Sequence, residues 1–298
     1  MPRTAVRILQ ALVATAFLIA ALWAVGRGRG VSAAPGAWAT HPLWSDGQAE
    51  ISAYEAVEQR YGEARPYTDY QIVVKEPFSR RLLVKADPGH APEDLVDVIK
   101  LNRIIQYRTG IYTYNQMLSF FFDPHDMQPL KWTLAHFEWC GNTCKIFTRR
   151  GRQAQLETHT YWDTDADQTF ELEFERDTVF YDQLPVWLRS QSLEPGTRRV
   201  RLYPTQISSK GPRPEAAEAA VTVAGEEEID LPQGGKRRAV LVQVEQPDGL
   251  HRFWLDPQFP HTLQGWERPD GGRGRLLWTR RLKYWDLNQP GDERYLTP

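Results

Sequence analysis

Cysteine is nearly absent from this chain. Only Cys140 and Cys144 occur among 298 residues, so no disulfide framework can hold the fold and at most one bridge can form. Neither lies near the amino terminus, which excludes a lipid anchor on an amino-terminal cysteine. Excess positive charge is missing too, with 36 basic residues against 38 acidic ones. Without residues 1–33, which hold four arginines and no acids, the balance is −6. A nucleic-acid partner, whose phosphates demand a basic face, is therefore not expected. No serine sits in a Gly-x-Ser-x-Gly elbow, and Gly271-Gly272-Arg273-Gly274 reads as a turn between strands, not a phosphate loop. The seven histidines are scattered, and no pair has metal-ligand spacing on a helix. No internal repeat is evident; Phe122-Asp123-Pro124 and Leu255-Asp256-Pro257 share only the chemistry of a strand ending. Neither a cofactor nor a metal is expected.

One uncharged apolar run is present, residues 8–26, with Arg3 and Arg7 before it and Arg27 and Arg29 after it. A basic lead, an apolar segment and then small residues is the pattern of a secretory signal. The run is also long enough to span a bilayer if it stays uncut. The expected location is extracytoplasmic, periplasmic or anchored facing the periplasm, with membrane contact through this segment if it is uncleaved. Residues 1–33 are thus read as signal or anchor, 34–45 as linker, 46–288 as a single β-rich domain and 289–298 as a tail.

Aromatic residues are plentiful: 11 Trp, 12 Tyr and 12 Phe. They favour strands and need large apolar surfaces. Helices are expected over residues 46–61, from Ile51, Tyr54, Val57 and Tyr61 on one stripe, from Pro92 onward, and briefly over 184–189. Nearly everything else reads as strands between turn clusters, with Pro247-Asp248-Gly249 and Pro269-Asp270-Gly271-Gly272 as hairpin turns. Residues 208–219 read as a loop between halves. The fold class expected is mainly β: a large antiparallel sheet curved as an open half-barrel, with two or three short helices.

Leu101-Asn102, Thr109-Gly110-Ile111-Tyr112-Thr113-Tyr114, Met117, Ser119, Phe122, Pro124 and Glu138-Trp139-Cys140-Gly141 follow one another in a specific order. This run resembles a family of uncharacterised exported bacterial proteins with TGIYxY and EWCG signatures, closely over residues 95–150 and loosely as far as Tyr284-Trp285. The resemblance implies export but no activity, and it makes Cys144 this chain's own addition. The second half is similar in style to periplasmic carriers of the LolA/LolB type, an analogy of architecture that implies an open half-barrel and carries no function.

Gly141-Asn142 is a turn pair, so Cys140 and Cys144 are expected to face each other across a tight loop as a disulfide. Two sharper readings stay open here. His136, Cys140 and Cys144 at spacings of four would share a face only on a helix, whereas residues 132–137 read as strand. Cys140 with Glu138 could serve thiol chemistry, although no His-Asn partner at a known spacing supports it. Asp163, Asp165 and Asp167 alternate like a calcium loop, but Gln168 and Phe174 stand where such a loop needs Gly and Glu, so an Asp-rich turn is expected. Adjacent aromatics such as Phe120-Phe121-Phe122 and Phe253-Trp254 point to opposite faces. Either both faces are covered, or one holds an apolar ligand against Tyr112, Tyr114, Phe122, Trp132, Trp139 and Trp254. The expectation is a non-catalytic binding or carrier module for a lipid-like ligand, with a lipid or another envelope protein as partner. The alternatives are a thiol-dependent enzyme using Cys140 and a structural role in envelope assembly.

Overall fold

Period-two alternation of apolar and polar residues dominates from residue 63 onward and makes strands of most of the chain. The computed structural model describes residues 35–297; the segment read as signal or anchor lies outside them. The strands are β1 (Ala49–Arg60), β2 (Glu63–Ser79), β3 (Val84–Lys85), β4 (Leu95–Thr109), β5 (Tyr112–Phe122), β6 (Pro129–Glu138), β7 (Gly141–Arg150) and β8 (Gln153–His159). They continue with β9 (Gln168–Leu172), β10 (Thr178–Phe180), β11 (Gly196–Tyr203), β12 (Ala217–Asp230), β13 (Lys236–Gln246), β14 (Gly249–Leu255), β15 (Leu263–Glu267) and β16 (Arg273–Leu282). All belong to one open, curved sheet. Its order runs from β10 to β16, then β1, β2 and β4 to β9, with β3 beside β2. Among the described residues β10 and β11 pair in parallel and every other neighbouring pair is antiparallel, including β1 with β16 from the two ends of the domain.

That parallel pair needs a crossover, and residues 181–195 supply it. Short helical turns at Tyr181–Gln183, Leu184–Trp187 and Leu188–Ser190 are buried throughout. At one end of this segment Arg189 makes a bidentate ion pair with Glu50 of β1 (2.8 and 2.9 Å) and donates from Nε to the Pro260 carbonyl. At the other end Tyr181 reaches His251 of β14, and Asp182 reaches the loop that follows β11. The segment therefore runs the length of the concave side and fills it. The edge strands β9 and β10 are only five residues apart in the chain (173–177), and Arg201 N donates to the Asp177 carbonyl.

The inner face is built in rungs. Val73, Leu101, Phe120, Trp132, Phe147, Leu156 and Phe170 lie side by side from β2 to β9, and all are buried. The Phe180 ring meets Phe120, Trp132, Phe147, Phe174 and Tyr203 at centroid separations of 5.0–6.3 Å. Both faces of the sheet are used, as the adjacent aromatics require. Phe121 packs with Phe78 on the outer face, and Trp254 with Ile229, Ala239 and Leu241.

Three expectations change. Residues 46–61 are not a helix: Ala49–Arg60 is a central strand paired to β2 and β16. Its first six residues are buried on both faces, which erases the alternation and leaves a spacing that mimics a helix. Pro92–Asp94 makes a single 3-10 turn before β4, whose Val96, Val98 and Ile99 favour extended backbone. Residues 35–45 are part of the fold and not a linker. Pro35–Ala39 and Pro42–Ser45 are short helices that bury Trp38 and Trp44, with Trp38 Nε1 donating to the Pro260 carbonyl.

Truncating the aromatic centre should be costly. Phe180→Ala is expected to lose about 3–5 kcal/mol in urea unfolding, because the cavity opens between strands that cannot collapse onto one another. Trp139→Ala, 72% exposed, is the control and should stay within about 0.5 kcal/mol of the parent.

Candidate functional site

The rungs change character along the strands. Beside the dry rung lies Gln71-Arg103-Leu118-Leu134-Lys145, and beyond it Asp69-Ile105-Gln116-His136-Thr143. Charged and amide side chains thus replace aromatics on the same inward parity. At this end of the sheet the chain forms the turns after β1, β4, β6, β13 and β15 and the long loop 204–216 after β11. Between them lies a cavity of about 410 Å³, inside the range of roughly 300–1,000 Å³ typical of small-molecule sites. Its lining includes Glu58, Arg60, Arg103, Tyr107, Gln116, His136, Tyr181, Asp182, Asp248, His251, Arg268 and Asp270, with Ile105, Leu202 and Ile207 as apolar patches.

Most of these charges are already matched. Arg103 bonds Asp69 through Nε and Nη2 (2.8 and 2.7 Å) and lies over the Trp266 ring. Arg268 bonds Glu58 at 2.7 Å and Asp270 at 3.1 Å. Asp182 is fully buried and accepts from Thr205 Oγ1 and Gln206 N. Burial pushes its pKa up, and those two bonds, Arg103 and Lys145 work against the rise. Lys145 donates to the Gln206 carbonyl and Thr143 to the Ser209 carbonyl, which pins the 204–216 loop across β7. Burial draws the Lys145 ammonium down to about 8 against the pull of Asp182 and Asp165.

Two histidines face the cavity. Tyr181 Oη lies 3.0 Å from His251 Nδ1, while His251 Nε2 faces both Gln246 Nε2 at 2.6 Å and Asp248 Oδ1 at 3.1 Å, so the ring joins a buried phenol to the β13–β14 turn. Burial lowers the His251 pKa, and Asp248 opposes that. His136 is 2% exposed, and its Nδ1 accepts from Gln116 Nε2 at 3.1 Å. That bond places the ring proton on Nε2, which has no hydrogen-bond partner. Burial pulls the His136 pKa down to about 4, Glu138 opposing and Arg60 and Lys145 adding to the fall. Arg60 donates from Nη2 to Tyr114 Oη at 3.1 Å, and its guanidinium lies over the Tyr61 and Tyr114 rings. Among the described residues it is the one arginine of the cavity lining without a carboxylate partner.

The aromatics expected to hold a ligand are not brought together. Phe122 and Trp132 are buried in the main core, and Trp254 packs on the outer face. Tyr114 is buried against Tyr107 behind the cavity wall. Tyr112 and the exposed Trp139 meet near the hairpin tips at a centroid separation of 6.4 Å. None of the six lines the cavity.

The expected disulfide is also corrected, because Cys140 and Cys144 are unbonded. Glu138 pairs with Gly141 in the ladder, so the turn is Trp139-Cys140, and Cys144 lies three residues down β7 opposite Ala135. At about 3.3 Å per residue the two Cα atoms stand roughly 10 Å or more apart, beyond the ~7 Å a disulfide can bridge. Cys144 shares the outer face with Ala135 while His136 points inward, and among the described residues no three His, Cys, Asp or Glu side chains converge as metal ligands. Cys140 is not an activated thiol: its hydrogen bond to Glu138 raises its pKa. Glu138 itself accepts from Tyr161 Oη at 2.6 Å and from Cys140 N at 3.0 Å. Asp163–Asp165 forms a 3-10 turn.

No family model matches this chain, and no curated protein matches it. Among solved structures, a DUF1089 family protein from Pseudomonas aeruginosa is similar over 55% of this chain and 82% of its own, at 11% identity and a TM-score of 0.33. A likeness at that level bears on neither fold nor function.

A neutral buried His136 makes stability depend on pH. Its pKa is lower in the folded chain than the ~6.5 of an unfolded one. The unfolded state therefore binds more protons as pH drops, and stability falls from about pH 6.5 toward pH 4. The urea midpoint of the parent should decline between pH 7 and 4.5 more steeply than that of His136→Phe. Parallel slopes would mean that another group titrates.

Proposed function

We propose that this protein is an extracytoplasmic binding module that takes an amphipathic, lipid-like ligand into the cavity at the loop end of its sheet. One observation carries the reading: the mouth of a charged cavity and a set of apolar hairpin tips share one end of the molecule. The β1–β2, β4–β5 and β6–β7 turns are neighbours there, and they expose Tyr61 (63%), Ile111 (82%) and Trp139 (72%). Tight two-residue turns hold these side chains outward, with Tyr61 at φ 57° and Gly62 and Gly110 at φ 74° and 64°. Exposed aromatic and aliphatic side chains grouped on a rim suit contact with a lipid surface, where amphipathic rings settle at the headgroup level.

The cavity changes what the ligand must be. A purely apolar molecule would leave the Arg60 and His136 donors without partners, at a cost of about 1–3 kcal/mol each. A molecule with a polar end in the cavity and an apolar part at the rim satisfies both surfaces. The amino-terminal apolar segment supports a place outside the cytosol.

Two measurements test this. Native mass spectrometry of the chain recovered from an extracytoplasmic fraction should find an adduct of lipid mass that denaturation releases. In vesicle flotation, the double variant Ile111→Ser/Trp139→Ser should bind phosphatidylcholine vesicles roughly tenfold more weakly than the parent while unfolding at nearly the same urea concentration. A bare protein whose vesicle binding ignores the tips would sink the reading.

A further inference from the structure

We infer that Arg60, His136 and Gln116 form a subsite for an anionic group, a phosphate or carboxylate, on the ligand. The inference rests on the binding reading above and names the chemistry of the polar end. Three observations meet at one wall of the cavity, made by β1, β5 and β6. Arg60 brings a full positive charge that, among the described residues, no carboxylate pairs with. Its Nε is buried without a partner, and only Tyr114 Oη takes a hydrogen bond from its Nη2. His136 presents a buried Nε2–H with no acceptor, and its tautomer is set from behind by Gln116 on the paired strand.

Donors without acceptors are what an anion requires. Both Arg60 and His136 touch one residue, Tyr114: the guanidinium lies 4.9 Å from its ring centroid, and the imidazole packs edge-on at 5.6 Å. Tyr114 is thus a shared neighbour of the cation and the neutral donor. Burial keeps the imidazole neutral, and Arg60 adds to this because a second cation would repel the first. A neutral donor beside a fixed guanidinium keeps hydrogen bonding to an anion through the physiological range, where a protonated histidine would lose its charge. Arg268 differs, since it is matched by Glu58, two residues before Arg60 on β1, and by Asp270.

The test uses ¹⁵N-labelled chain from the extracytoplasmic fraction, with inorganic phosphate as the soluble probe. Vesicles of phosphatidylcholine with and without phosphatidic acid are the lipid probe. Phosphate is expected to move the His136 Nε2 resonance saturably. Arg60→Gln should weaken that binding roughly tenfold or more, the effect of one charged hydrogen bond, and Arg60→Lys should recover part of it. Phosphatidic acid that strengthens vesicle binding in the parent but not in Arg60→Gln identifies a lipid headgroup as the source. A phosphate response with no effect of phosphatidic acid keeps the subsite and assigns it to a soluble anion. The subsite is overturned if neither phosphate nor phosphatidic acid distinguishes the parent from Arg60→Gln. In that case tip-dependent binding to neutral vesicles still decides the broader reading separately, because Ile111 and Trp139 do not contribute to the cavity.

Discussion

The packing of Phe180 against the sheet is the contact on which the rest of the molecule depends. An open sheet has two free edges, and a curved one has a concave face that must be filled. Phe180 ends edge strand β10, and its ring reaches aromatic residues of β5, β6, β7 and β11. One side chain therefore joins the carboxyl-terminal half of the sheet to the amino-terminal half through the interior. The chain then turns inward as the helical segment 181–190, so the residue that bridges the two halves also starts the filling. Without that anchor, Tyr181 and Asp182 would have no fixed position at the cavity, and loop 204–216 would lose the carboxylate that receives it.

The buried charges follow from this filling. Arg189 with Glu50, and Arg103 with Asp69, are taken out of water at either end of the inner segment. Ion pairs so placed add little net stability, because desolvation offsets their attraction, but losing one partner costs about 3–5 kcal/mol. Their effect is positional. Arg189 can meet both Glu50 oxygens only if the inner segment lies at one depth and one rotation. Arg103 meets Asp69 from a neighbouring rung and lines the cavity. Fixed depth and fixed direction are what a binding wall needs and what an all-apolar interior would leave loose.

Much of the fold was legible in the sequence, and the site was not. Alternation placed most strands, and the Pro-Asp-Gly clusters at 247–249 and 269–271 marked true hairpins. The paired Asp-Pro endings also share their chemistry, since Asp123 and Asp256 each accept from the backbone amide two residues on. Ala49–Arg60 misled because burial on both faces removes the contrast that alternation relies on. The cysteines misled because loop closure was judged from sequence distance, while the ladder sets the turn two residues earlier. The aromatics misled in a different way. Their number suggested a ligand, yet they stack on one another on two faces of the sheet, and none of the six candidates lines the cavity.

The signal that would have found the cavity is a charge on the apolar parity of a strand. In β4, Arg103 stands between Leu101 and Ile105 at a spacing of two, and in β6 His136 follows Trp132 and Leu134. On a solvated face such residues are ordinary; on the inward face each must find a partner. One such residue usually finds it in the core, as Arg103 finds Asp69. Several on adjacent strands at the same height cannot all be matched, and the mismatch collects in one place. Here the rungs shift from aromatic to charged toward the loop end, and the unmatched donors of Arg60 and His136 come to rest against the same tyrosine. A polarity gradient along the strands, more than any single motif, makes one end of this sheet a core and the other a charged cavity.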